Sequence, residues 1–212
     1  MKRRYRMIAV VFLLTGSLWA CGVPLEDRAF PLSVAVDYTE GKYEVYYGMP
    51  DLSAETGQDK EGENSGQKET VVCYRGRSME ETEELFLRSQ EDYLDLGHVK
   101  AFLLGENLLK NKNAYEALLA YLEEKTSVAG NIYVFSCRSP REIMELEGTE
   151  LDSLGTFLVR IVESRPYSRQ EEQTDLQSLY NAWHNQENRP SMLQVEAEGQ
   201  TLLVKGNLYE RE

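Results

Sequence analysis

Three cysteines and two histidines carry most of the reactive chemistry that this 212-residue chain offers. Cys21 closes the run Leu18-Trp19-Ala20-Cys21, with Leu18 and Ala20 at the minus-three and minus-one positions that a lipoprotein signal peptidase reads. A thiol there can be alkylated by diacylglycerol, and cleavage before it leaves a lipidated N-terminus. Two acyl chains on one residue anchor a protein stably, where one chain is marginal. Ahead of the site stand Lys2, Arg3, Arg4 and Arg6, then the apolar run Met7 to Leu14, then Thr15-Gly16-Ser17. That order marks residues 1–20 as a signal peptide and not a fold element. The apolar run is shorter than the ~20 residues a bilayer span needs. The expected location is the cell membrane, lipid-anchored on the extracytoplasmic face. The diacylglycerol on Cys21 is the one covalent group expected, with no other cofactor.

Cys73 and Cys137 remain. An oxidising compartment allows them to pair as a disulfide, and each also lies in a strand-like stretch where a thiol packs as a small hydrophobe. Both readings stand on sequence alone. His98 and His184 lie far apart, and neither has a second His or a Cys at ligand spacing, so no metal site is expected. There is no Gly-x-Ser-x-Gly elbow and no Gly-x-Gly-x-x-Gly fingerprint, and the glycines from Gly57 to Gly66 lack the Lys-Ser/Thr ending that grips phosphate. Carboxylates are abundant, yet no two are singled out as a pair across a cleft. The runs Glu80-Glu81-Thr82-Glu83-Glu84 and Glu171-Glu172 read as solvated faces or helix N-terminal turns. No catalytic residue is therefore expected. His98 opens an otherwise buried stretch, either as a core-edge histidine bonded to backbone or as a contact for a partner. Trp183 beside His184 offers a second interface candidate, although the period of its helix also suits a core position.

Composition narrows the partners. Removing residues 1–20 leaves 19 basic against 36 acidic residues, a charge of −17. So acidic a chain repels phosphate backbones, which argues against nucleic acid, and gains nothing electrostatically from anionic lipid. The 192 remaining residues suffice for one medium or two small cores.

The elements that must position these residues alternate. Leu32 to Asp37 and Tyr43 to Tyr47 read as a hairpin around Tyr38-Thr39-Glu40-Gly41-Lys42. Asp51 to Thr70 has almost no large apolar residue and is expected to be disordered. Val71 to Arg75 is a strand. Ser78 with Glu81 opens a helix through a capping box, with Met79, Phe86 and Tyr93 at heptad spacing. Ala101-Phe102-Leu103-Leu104 is apolar without alternation, which fits a strand buried on both faces. Tyr115, Leu118, Leu119 and Leu122 mark an amphipathic helix. Ile132 to Phe135 is another buried strand, and Ser139-Pro140-Arg141-Glu142 starts a helix. The pattern implies an α/β (α+β) fold, a mixed sheet with βαβ crossovers extended by the N-terminal antiparallel hairpin. Leu151, Leu154, Leu158 and Ile161 mark a further helix. Leu176, Leu179, Tyr180 and Trp183 mark the last one, capped by Thr174 with Gln177. Met192 to Val195 and Thr201 to Tyr209 form a closing hairpin around Glu198-Gly199-Gln200.

Several stretches resemble one family. They are Cys21, Phe30-Pro31-Leu32-Ser33-Val34-Ala35-Val36-Asp37, Lys42-Tyr43-Glu44-Val45 and Tyr74-Arg75-Gly76-Arg77-Ser78. Next come Leu96 to Glu106, with His98, Lys100, Gly105 and Glu106 as its most specific part, and Ser139-Pro140-Arg141-Glu142-Ile143. They resemble the N-terminal region of the Ger(x)C lipoproteins, the C subunits of bacterial spore nutrient-germinant receptors. The resemblance covers roughly residues 21–165 and implies a Ger(x)C-like N-terminal α/β domain there. Residues 166–212 would be the helix and hairpin that start a truncated second domain. It also implies a non-enzymatic subunit acting through protein contacts with integral-membrane A and B type receptor subunits, and puts Lys100 and Glu106 with His98 as interface residues. A solute-binding or envelope-sensing lipoprotein is the alternative. It calls for an aromatic-lined pocket, to which Tyr43, Tyr46 and Tyr47 would contribute.

Overall fold

The computed structural model describes residues 23–50, 69–146, 153–164 and 173–206. Cys21, Leu151 and residues 51–68 lie outside the described residues; Glu69 and Thr70, the end of the stretch expected to be disordered, are described, and Thr70 lies in a strand. A 3-10 turn at Leu25–Asp27 leads into β1 (Arg28–Ala29). Strands β2 (Ser33–Thr39) and β3 (Lys42–Met49) form the expected hairpin. Its two turn residues, Glu40 and Gly41, have φ of 52° and 77°, the left-handed pair that a two-residue turn needs to match strand twist. Then follow β4 (Thr70–Gly76), α1 (Met79–Ser89), β5 (Tyr93–Leu94), a 3-10 turn (Leu96–His98) and β6 (Ala101–Gly105). After these come α2 (Glu106–Lys110), α3 (Lys112–Glu124), β7 (Tyr133–Cys137), α4 (Pro140–Met144) and α5 (Leu154–Ser164). The described chain closes with α6 (Leu176–His184), β8 (Gln194–Glu198) and β9 (Thr201–Lys205).

Seven strands make one sheet in the order β4-β3-β2-β6-β7-β8-β9, and β1 pairs with β5 apart from it. Neighbours β2, β6, β7 and β8 are parallel. Antiparallel β3 and β4 extend one edge, and antiparallel β9 ends the other. The fold is the mixed α/β sheet expected from the sequence.

The unbroken apolar run of β6 has its physical reason here. Every residue of it is buried, because helices cover both faces. Phe102 and Leu104 join Val34 and Val36 in a core with Phe86 of α1, Leu118 and Leu122 of α3 and Leu179 of α6. Leu103 and Ala35 point the other way, to Ile143 and Met144 of α4 and Leu158 of α5. Fully burying each such large side chain contributes roughly 1.5–3 kcal/mol.

Local signals set the helix ends with three differences from expectation. Ser78 caps α1, accepting from the Glu81 amide at 3.3 Å, while Glu81 accepts from the Arg77 amide at 2.6 Å, one residue beyond the usual box. Helix α1 ends when Gln90 turns extended, so Tyr93 lies on β5 and not along the helix. The cap of α6 is Asp175, which accepts from the Ser178 amide at 2.8 Å; Thr174 instead donates to the Ser191 carbonyl. Because β8 pairs with β7, and α6 packs into one core while β8 and β9 pack into the other, the segment after residue 173 continues the same sheet. The second domain expected from residue 166 is not separate among the described residues.

A buried carboxylate, Asp37, and a half-buried one, Glu69, pin sheet to helices. Asp37, at the end of β2, accepts from the Tyr38 amide, the Leu108 amide and the Asn107 side chain, each at 2.9 Å. A Cβ on Gly105 would come within 2.4 Å of that carboxyl, so only glycine fits. Glu69 accepts from the Ser33 hydroxyl and from the Leu154 amide at the start of α5, both at 2.9 Å. Burial pushes the Glu69 pKa up, against these two hydrogen bonds that lower it.

Gly105→Ala is expected to cost about 1–3 kcal/mol by overpacking, read as a lower midpoint in urea unfolding. For Glu69, a raised folded pKa means the folded state binds the proton more tightly than the unfolded chain. Its ionised form therefore burdens the fold at neutral pH, and stability rises as pH falls through the raised pKa towards the ordinary value of 4.5. Glu69→Gln should raise Tm at pH 7 and flatten that acid-side slope. A Tm that falls at pH 7 would contradict the assignment.

Candidate functional site

The residues singled out from sequence divide between the two ends of the parallel strands. His98 and Lys100 precede β6, and Glu106 follows it. Six residues of extended chain put about 20 Å between Lys100 and Glu106.

At the first end the N-terminal arm runs beside residues 93–100. Arg28 and Ala29 pair with Tyr93 and Leu94, the Asp95 amide donates to the Ala29 carbonyl, and the Lys100 amide donates to the Leu32 carbonyl, both at 2.9 Å. His98 is exposed on its 3-10 turn and stands edge-on to Phe30, with ring centroids 4.4 Å apart. It does not open the strand, which begins at Ala101. Lys100 is exposed beside it. Asp95 accepts from Arg28 at 2.7 Å and from the Gly97 amide at 2.9 Å. Burial works against ionisation of Asp95, but those hydrogen bonds and the Arg28 charge hold its pKa below the usual carboxylate range. At this same end a Cβ on Gly155 would lie 2.1 Å from the Leu32 carbonyl oxygen, so helix α5 touches the backbone that enters β2.

At the opposite end the C-termini of β6 and β7 open into a cleft of about 530 Å³ between Glu106, Lys110, Cys137, Arg138, Arg189 and Met192. Glu106 pairs with Lys110 at 2.6 Å, and the lysine, then the charge of Arg138, lower its pKa. Arg189 lies over the Tyr115 ring at 5.3 Å and donates to the Leu109 carbonyl at 2.9 Å. It thereby forms a wall to a neighbouring hollow of about 780 Å³ that includes Trp183. Trp183 is half-buried, packed against the core and 4.7 Å from the His184 ring, and His184 bonds Glu123 at 2.8 Å. Glu106 and Trp183 therefore share an end with each other and not with His98 and Lys100. Arg138 and Arg189 were not legible as site residues, since nothing in their local sequence separates them from other surface cations. Asp37 left a faint signal, a carboxylate closing the apolar run Val34-Ala35-Val36.

Cys137 is buried and Cys73 is exposed on edge strand β4, and both are free thiols. Four strand spacings separate β4 from β7, about 19 Å, where a disulfide needs Cα atoms within about 7 Å. The sheet order thus excludes the Cys73–Cys137 pair and keeps Cys137 as a small hydrophobe. Burial, then the Asp37 and Glu142 charges, push its pKa up, so it is a thiol and not a nucleophilic thiolate. Tyr43, Tyr46 and Tyr47 are all buried. They serve the core, because β3 lies inside the sheet under helices on both sides. Tyr43 donates to the Ala114 carbonyl at 2.8 Å, and burial pushes its pKa up to about 12. Among the described residues, no group of three or more His, Cys, Asp or Glu is placed to hold a metal, and no helix is long and apolar enough to cross a membrane.

Residues 22–197 match a family model described as the spore germination protein N-terminal domain. No curated protein and no solved structure matches the chain.

Alkylation of the folded protein followed by peptide mapping should label Cys73 and spare Cys137, which becomes reactive only in denaturant. Labelling at Cys73 should accelerate in alkali, since burial raises its pKa. Equal labelling of both thiols in the native state would contradict this burial.

Proposed function

The chain belongs to the spore germination protein N-terminal domain family, and on that footing we propose that it acts as a lipid-anchored, extracytoplasmic subunit resembling the C subunit of a nutrient-germinant receptor. Its role in this reading is non-catalytic contact with integral-membrane A and B type subunits. The signal peptide and Cys21 support the anchor, and the family match begins at Gly22, next to the expected cleavage site.

One observation carries the reading furthest. The arm that follows Cys21 is hydrogen-bonded to the end of the fold that exposes His98 and Lys100. A tether at that end holds those two side chains close to the membrane, where polytopic partners lie. It also raises their effective concentration, so weak contacts suffice. Glu106 and Trp183, at the far end, would face away.

The solute-binding alternative keeps one support, the cleft beside Glu106, Lys110 and Arg138. There a small molecule that raises Tm, with the rise lost in Arg138→Ala, would favour it.

Crosslinking in intact cells is expected to recover polytopic membrane subunits. His98→Ala with Lys100→Glu should reduce that recovery about tenfold, as expected for a loss of ~1.4 kcal/mol, and slow germination in step. Lys110→Glu at the far end should leave both unchanged. Cys21→Ala should abolish acyl labelling and move the protein out of the membrane fraction. Normal germination on every nutrient after deletion of the gene would remove the proposed role.

A further inference from the structure

The N-terminal arm is not a loose leash. The Val23 carbonyl accepts two hydrogen bonds from the Arg28 guanidinium, from Nε at 3.0 Å and Nη2 at 2.9 Å. The third guanidinium nitrogen, Nη1, donates to Asp95 at 2.7 Å. Between them the Asp27 amide donates to the Pro24 carbonyl at 3.2 Å, closing the 3-10 turn. Arg28 thus fastens the first described residue to the body of the fold through the strand pair β1–β5.

Only Gly22 stands between Cys21 and Val23, and the two residue steps reach at most about 7 Å. The polar headgroup layer of each leaflet is itself about 5–8 Å deep. A rigid body held by so short a link, on the lipid reading of Cys21 proposed above, must meet the headgroups with the surface around the arm. Three large apolar side chains stand out of that surface among its charged residues. Leu25 is 71% exposed, Tyr93 44% and Val23 38%, and Tyr93 sits opposite Arg28 in the β1–β5 pair. Tyrosine is enriched at the membrane–water interface, and leucine is among the apolar residues that interfacial segments bury there.

We propose that this end of the fold rests on the lipid surface, with Val23, Leu25 and Tyr93 in the headgroup layer and Arg28 as the clamp that fixes the tilt. The contact is apolar and not electrostatic. Glu26, Asp27, Glu91 and Asp92 are all exposed at the same end, so an anionic leaflet weakens it and a zwitterionic one favours it.

The test uses the full lipidated chain in phosphatidylcholine vesicles with brominated acyl chains, which quench tryptophan on contact. Leu25→Trp and Tyr93→Trp report on the proposed surface, and Lys110→Trp reports on the opposite end, each corrected for Trp183. Quenching at positions 25 and 93 should exceed that at 110 by at least about threefold, given insertion of about 5–10 Å at the interface. It should fall when half the lipid is phosphatidylglycerol. Arg28→Ala in either reporter should bring quenching towards the control while the acyl mass stays unchanged. Vesicle flotation and an intact lipid adduct with equal quenching at all three positions would overturn the lipid contact and leave that surface to a membrane protein. A chain that neither floats nor carries the adduct would overturn the anchor, and the surface contact with it.

Discussion

Burial of the central parallel strands on both faces governs everything else in this molecule. Strands β2 and β6 bring alternate side chains into two separate cores, so these central strands are covered on both faces. Helices α1, α3 and α6 answer on one side, α4 and α5 on the other. A backbone enclosed this way must find partners for each polar group that interrupts it. Asp37 enters that interior and Glu69 stands half-buried at its margin. Each is held because it receives helix-terminal or side-chain donors, and so each fixes a helix to a strand end as well as satisfying itself.

The sequence made much of this readable, and the reason is periodicity. Ala101 to Leu104 carries no alternation because both its faces are covered, and Tyr115, Leu118, Leu119 and Leu122 carry a helical period because one of theirs is. Glu40-Gly41 named the hairpin turn through the one backbone conformation it needs. The family resemblance rests on the same stretches, and the family match extends beyond them to residue 197. That extension agrees with β8 hydrogen-bonding β7 rather than opening a new unit.

The site was far less legible. Local pattern reports whether a residue is buried, not which distant residue it meets. His98, Lys100 and Glu106 fall within nine residues of one another in sequence, yet a strand that crosses the whole sheet separates the first two from the third. Arg28 meets Asp95 across 67 positions, and Arg189 meets Leu109 across 80. Such pairings arise only when the sheet order brings the segments together. The tyrosines of β3 misled for the related reason that composition cannot distinguish an aromatic core from an aromatic pocket.

Strand order also has a bearing on the history of each molecule before it is folded. Cys73 and Cys137 are held apart by three intervening strands, and no small opening of the sheet brings them together. A bond between them is available only to a chain that has not yet assembled its sheet, and once made it would bar that assembly. For a chain that folds where thiols are oxidised, collapse and oxidation are then in competition. The sequestration of Cys137 between sheet and helices ends that competition in favour of the native state.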